Sequence, residues 1–234
     1  MVEVRDQRTD RWGGLAGIAG GVLLVVVFAI VGILVGPEPD GPAGAIARFP
    51  EVRVARTVEN GLYLLALLLW VPLALALADR LRRTAAAAAL FGAGLHLVGL
   101  TIVAAGAIPH AVTSGLSDRY HAAGVTTADQ ATLVQLWHAT QGLFEALLLT
   151  GLLVMPAGVV LFGVAMRRDP AFGRVTGTAC VLLGGIGLGA AVVMLADPGS
   201  PAAAAGVFAL LGFHAVAGWR LLRTTAPAGL LSPA

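Results

Sequence analysis

The sequence has no lysine, a single cysteine and little charge of either sign. Only 12% of its 234 residues are Asp, Glu, Lys or Arg, about half the share of a typical soluble domain. With a hydrophobic content of 58% and a mean hydropathy of +0.87, that scarcity excludes a water-soluble globular fold. Cys180 lies in an apolar run and has no second cysteine to pair with, so no intramolecular disulfide and no CxxC metal or redox motif can form. Aromatic residues are sparse at 6%, and the 15 basic residues, all arginine, are scattered through short segments. Without a basic block interleaved with aromatics, the net charge of +2 and the pI near 9.3 do not indicate nucleic acid as a partner. Phosphate-binding P-loop, nucleophile-elbow and strand-borne dinucleotide glycine patterns are also missing. The glycines of Gly184 to Gly189 lie in an apolar run with no strand before them.

What the sequence does have is long uncharged runs. They predict an all-α, polytopic membrane protein with six transmembrane helices in a compact bundle, at about residues 13–36, 57–78, 85–109, 132–166, 175–196 and 202–219. The first run exceeds the apolar core of a secretory signal. Although Ala45-Ile46-Ala47 resembles a cleavage site, the run reads as an uncleaved first helix. Residues 37–56, with Pro37, Pro39, Pro42 and Pro50, read as a loop carrying a short helix at Ala43 to Phe49. The second and third spans are joined by Asp79-Arg80-Leu81-Arg82-Arg83 and form a tight hairpin. The fourth is longer than a bilayer core of about 30 Å, so its outer part projects, tilts or bends at Pro156. Small residues at four-residue spacing, Gly13/Gly17/Gly21 and Gly185/Gly189, allow close helix packing.

Six spans place residues 1–12 and the tail 224–234 on one side. Eleven arginines (5, 8, 11, 80, 82, 83, 167, 168, 174, 220 and 223) lie on that side, against four (48, 53, 56 and 119) opposite. The positive-inside rule makes both termini cytoplasmic, and basic residues that are all arginine, with abundant alanine and glycine, read as the bias of a GC-rich bacterial genome, so the expected location is a bacterial cell (inner) membrane.

Polar groups within spans are costly and therefore mark candidate sites. On the fourth helix His138, Gln141 and Glu145 are spaced i, i+3, i+7 and share one face, flanked by Trp137 and Phe144. The second span opens with Arg56, Glu59 and Asn60, and Tyr63 lies one turn beyond Glu59. Counting back from the cytoplasmic ends, Glu145 is 21 residues before Met166 and Glu59 is 19 before Ala78, so both sit near the outer edge of the hydrocarbon. His110 and Asp197 fall at the same level, and the segment from His110 to Gln130 roofs it. The pattern predicts an outward-facing polar vestibule. The competing structural reading makes Asp197 a turn residue and Glu59 a partner of Arg56. His96 sits in mid-span and reads as a buried histidine bonded to a neighbouring helix. His214, about five residues from the end of the sixth span, does not match its depth, which argues against a bis-histidine haem. The outer histidines and carboxylates lack any fixed metal-ligand spacing, so no metal and no cofactor are assigned.

Two stretches carry a family resemblance. One runs from Gly61-Leu62-Tyr63-Leu64-Leu65 to Leu81-Arg82-Arg83; the other runs from Gly151-Leu152-Leu153 through Met166-Arg167-Arg168-Asp169-Pro170 to Arg174. They resemble the uncharacterised DUF-type six-helix membrane proteins common in actinobacteria. That resemblance implies the fold and the membrane location and supplies no catalytic residues.

The first functional expectation is a protein that binds a lipid or lipophilic small molecule in the outer vestibule. Trp137, Gln141, Phe144, Asn60, Tyr63, Trp70 and His110 are its candidate lining. The alternative is a membrane enzyme acting on an isoprenoid, similar in type to small membrane terpene cyclases. There a carboxylic acid kept neutral by burial starts cyclisation and aromatic faces stabilise the cation. Glu145 is the first candidate acid and Glu59 the second, with His138 beside them. A proton-coupled transporter using His138 and Glu145 is the third reading. Besides the bilayer and such a small molecule, the sequence indicates no partner, and it leaves the oligomeric state open.

Overall fold

The computed structural model describes residues 7–37, 39, 41–197 and 200–224. Among them the regular elements are all helical: α1 (Gln7–Ile30), a π-helical turn (Val31–Val35), α2 (Gly41–Ala105), α3 (Ala107–Tyr120), α4 (Thr127–Met166), α5 (Gly173–Ala196) and α6 (Ala202–Thr224). Five helical stretches are long and apolar enough to cross a membrane. Large apolar side chains such as Leu68, Phe91, Leu182 and Phe208 point away from the bundle, an exposure that hydrocarbon accommodates and water does not.

The long α2 is two helical arms. Ala85, at φ −152° and ψ 62°, interrupts it between residues 41–84 and 86–105. In one straight helix Tyr63 and Val103 would lie about 60 Å apart, yet the Tyr63 hydroxyl donates to the Val103 carbonyl at 3.2 Å. The arms are therefore antiparallel, with the arginine-rich stretch at the turn, as the predicted hairpin requires. α1 packs on the first arm, α4 on the second, α5 on α4, α6 on α5, and α6 closes the ring against α1.

Glycine sets how closely the segments approach. A Cβ on Gly158 of α4 would lie 2.7 Å from both the Gly92 carbonyl oxygen and the His96 nitrogen of the second arm. Gly14 of α1 and Gly218 of α6 meet in the same way, each Cβ position 2.7 Å from the other residue's carbonyl. In α1 the expected Gly13 and Gly17 touch the first arm, with Gly20 joining them in place of Gly21. In α5 the expected pair is wrong. Gly185 and Gly189 have open space around them, and Gly184 and Gly187 press on Val160 and Pro156. The buried stripe of α5 runs through Gly177, Cys180, Gly184, Gly187 and Ala191, which puts residues 185 and 189 on its outer flank.

At the turn end Arg80 bonds to Asp10 at 3.1 Å and approaches Asp169 at 3.8 Å, both carboxylates being buried. One guanidinium thus joins α1, the hairpin and the α4–α5 connection. At the opposite end the expected loop over residues 37–56 is helix from Gly41 onward. α2 begins at Gly41 and runs through Pro50, and Pro42 at its start needs no helical N–H partner. Pro50 has no N–H for the Ile46 carbonyl, and the Ser117 hydroxyl of α3 donates to that oxygen instead, at 3.2 Å. Ile46 and Phe49 pack with Leu116 of α3 and with Leu133 and Trp137 of α4 in a small core of their own. These pieces form a helical cap, joined also by an Arg53–Asp118 ion pair. The projecting start of α4 belongs to it, as its length predicted. Thr126 caps that helix and bonds through its hydroxyl and its N–H to Asp129, which holds the Asp129 carboxyl below its usual range. The bonded carboxylate supports the cap in full above the usual range, persists through it, and is lost only as pH falls through the lowered value beneath it.

Gly158→Ala should destabilise the purified protein by about 1–3 kcal/mol, because the added carbon meets backbone that cannot rotate away. Gly185→Ala should stay within about 0.5 kcal/mol of the parent. Thermal unfolding in a neutral detergent compares the two.

Candidate functional site

Between α1, the first arm of α2, α4 and α6, on the cap side of the bundle, lies a cavity of about 350 Å³. Its walls are apolar, with Leu24 and Val27 from α1, Leu148, Leu152 and Met155 from α4, and Leu210 from α6. Its polar groups are Arg56, Glu59, Asn60, Tyr63, His110, Gln141 and Glu145; all but Arg56 belong to the set that the sequence places near one level, of which His138 and Asp197 are missing here. Glu59 and Glu145, from different helices, line the same space.

Their environments differ. Glu59 is 8% exposed and forms an ion pair with Arg56 at 3.0 Å, one helical turn away. Glu145 is exposed, at the edge of the cavity. Asn60 donates to the Ala107 carbonyl at 3.4 Å and Tyr63 to that of Val103. Both hold the first arm against the break between α2 and α3. His110 stacks on Phe144 with ring centres 4.5 Å apart. Trp70 lines the inner end of the cavity.

Two of the predicted site residues do not line this cavity. His138 is exposed and lies about 10 Å farther out along α4 than Glu145, two turns away. Trp137 turns into the cap and meets Phe49 edge-on, with ring centres 5.4 Å apart. It lines a second pocket of about 300 Å³ with Arg48, Thr113 and Ser114. Arg56, Asn60, His110 and Gln141 border both spaces. Asp197 takes the turn role, its carbonyl accepting from the Ser200 N–H.

The sequence missed a histidine pair. His96 of α2 and His214 of α6 meet with Nε2 atoms 3.2 Å apart, both buried. His96 is thus bonded to a neighbouring helix, as expected, but the expected mismatch in depth is wrong. α6 continues past Trp219 to Thr224, which puts His214 10 residues from its end, close to the 11 that separate His96 from Ala85. His214 Nδ1 lies 2.7 Å from the Leu210 carbonyl. A carbonyl only accepts, so Nδ1 carries the hydrogen, the neutral ring accepts at Nε2, and His96 is the donor. The indole of Trp70 stacks on His214 at 3.6 Å, 12° from parallel. The pair therefore lies directly beneath the inner end of the cavity. Among the described residues no three His, Cys, Asp or Glu side chains gather as a metal-binding group.

Comparison with protein-family models, curated proteins and solved structures returns no match to this chain.

Replacing one histidine of the pair leaves the other buried with an unmet polar atom, at a cost of about 1–3 kcal/mol. His96→Leu and His214→Leu should each lower stability by that order. The double variant should lose clearly less than the sum, because the polar interaction is then removed whole. Unfolding of the four proteins in detergent gives the coupling.

Proposed function

We propose that this chain is a six-pass protein of a bacterial inner membrane, with both termini cytoplasmic, that binds a lipid or lipophilic small molecule in the cavity beneath its cap. The observation that carries the reading is the cavity itself: about 350 Å³, walled by aliphatic side chains, with polar groups collected at one end. Concave, mostly apolar sites with a few convergent polar groups are how proteins hold apolar ligands. The fold-back at Ala85 supplies the sixth pass. The eleven-to-four distribution of arginines supports the orientation. Trp12 and Trp219, exposed at the arginine-rich end, suit a membrane–water interface there, on whichever side it lies.

Binding is favoured over acid-started cyclisation by the state of the two carboxylates. Glu59 is already engaged with Arg56, and Glu145 stands at the edge of the cavity instead of in its depth. Transport of protons toward the cytoplasm has little support either. Below the histidine pair the interior is filled by buried side chains such as Leu77, Leu81, Met166 and Leu221.

The full chain, released from membranes into neutral detergent, should carry an apolar molecule detectable by native mass spectrometry. Leu148→Trp, which fills the cavity, should abolish that retention without unfolding the protein. Repeated recovery of an empty parent would refute the reading. Orientation is tested separately in a Cys180→Ser background. Gly124→Cys should react with a membrane-impermeant thiol reagent on intact cells, and Thr224→Cys only after lysis. The reverse pattern overturns the assigned topology.

A further inference from the structure

The arginine-rich end of the bundle, opposite the cap and its cavity, has a chemistry of its own. Eleven arginines stand against five acids on that side of the sequence, with Glu3 and Asp6, which lie outside the described residues, counted among the five. Asp10 and Asp169 are buried against Arg80, and Asp79 is paired with Arg82. The excess is therefore positive even with every acid charged.

At the seam between α1 and α6 the side chains are arranged in layers. Gly14 and Gly218 touch. Trp12 lies two residues from the first and Trp219 one residue from the second, each on the side of the helix end. The two indoles thus stand within about one helical turn of a common level, and both are exposed, at 68% and 51%. At and beyond that level come Arg11, exposed beside Trp12, and Arg223, whose guanidinium lies 4.8 Å from the centre of the Trp219 ring. In the other direction Leu15, Val22 and Val26 follow Arg11 at helical spacing, all exposed. Arg11, Trp12 and Leu15 border a recess in the surface of α1. Aliphatic side chains, then indoles, then guanidiniums is the order in which a phospholipid lays its chain, its glycerol esters and its phosphate along a helix.

We infer that the α1–α6 seam binds a phospholipid of net negative charge. Its phosphate lies against Arg11 and Arg223, its glycerol esters beside Trp12 and Trp219, and one chain along Leu15, Val22 and Val26. Guanidinium donors match phosphate oxygens in geometry and charge. A zwitterionic lipid offers the same phosphate but sets its ammonium group against the arginine excess. A second copy of the chain, packed on this seam about a twofold axis, would oppose Arg11 and Arg223 with like charges. The inference needs only the membrane setting and is independent of the molecule held beneath the cap.

The test places the full chain in nanodiscs containing equal amounts of phosphatidylglycerol and phosphatidylcholine with identical chains. Native mass spectrometry then counts the lipids that stay bound on release. Phosphatidylglycerol should be retained about 5- to 30-fold more than phosphatidylcholine, the range that one or two guanidinium contacts supply at a membrane surface. The double variant Arg11→Gln, Arg223→Gln should bring the two lipids close to parity. Arg168→Gln with Arg174→Gln removes the same charge where α4 passes into α5, from two exposed positions, and should keep the preference. Equal retention of the two lipids by the parent overturns the inference. An equal drop in both double variants assigns the preference to overall charge and removes the seam site, and a dimer that persists without bound phosphatidylglycerol replaces the lipid by a second copy. Photocrosslinking of the parent with a diazirine-bearing phosphatidylglycerol locates the lipid without any variant. Labelled peptides from α1 and α6 are expected, and labelling confined to α4 and α5 overturns the assignment.

Discussion

Helices that meet in hydrocarbon gain little from burying apolar surface, because lipid tails are as apolar as leucine. What remains is contact at short range, and short range needs backbones without side chains between them. The approach of α4 to the second arm of α2, where Gly158 meets Gly92 and the His96 backbone, is the contact on which the rest of this protein depends. It fixes the depth and rotation of His96, which places the imidazole opposite His214. That pairing brings α6 across the middle of the bundle, with Trp70 stacked above it. The cavity occupies the space above Trp70 where no comparable glycine contacts draw α1, α4 and α6 together.

The two halves of the molecule are held by different chemistry. Toward the arginine-rich turns, packing is dense and the Arg80 guanidinium sits between two buried carboxylates. Toward the cap, helices stand farther apart and are joined by side chains that bond to exposed carbonyls: Asn60 to Ala107, Tyr63 to Val103, Ser117 to Ile46 and Arg48 to Val35 and Pro37. Most of these carbonyls lie beside a proline or a break in a helix, where the backbone ladder is incomplete. The irregular backbone therefore has a use. It calls for polar side chains at the level of the cap, and those side chains frame the cavities there.

Much of this was legible in the sequence, for physical reasons that also explain the exceptions. Charge and hydropathy located the apolar stretches, and helical periodicity brought Gln141 and Glu145 to one face and Glu59 to Arg56. The start of α2 differs from the loop that its proline density predicts, because Pro42 begins a helix and Pro50 is compensated by the Ser117 hydroxyl, which bonds to the Ile46 carbonyl 71 residues away. No local pattern carries that compensation. His214 was placed at the wrong depth because the helix was ended at Trp219, when Leu221 and Leu222 continue it. The glycines of α5 were read by four-residue spacing alone. Which flank of a helix faces its neighbour is a tertiary fact, and it favoured Gly184 and Gly187. Arg48 gave no signal, since the Val35 and Pro37 carbonyls that it bonds to come beside it only through the fold-back of the chain before α2.

The seam between α1 and α6 has a consequence for how the molecule is made. Gly14 and Gly218 close the ring, and they are about as far apart in the chain as two contacting residues here can be. At about 5–20 residues per second, ribosomal synthesis separates them by on the order of 10–40 s. Throughout that interval the glycine flank of the first helix faces lipid or the insertion machinery instead of its partner. The first segment to enter the membrane is therefore the last to be enclosed. The cavity beneath the cap, which needs α6 as a wall, comes into being only when α6 arrives.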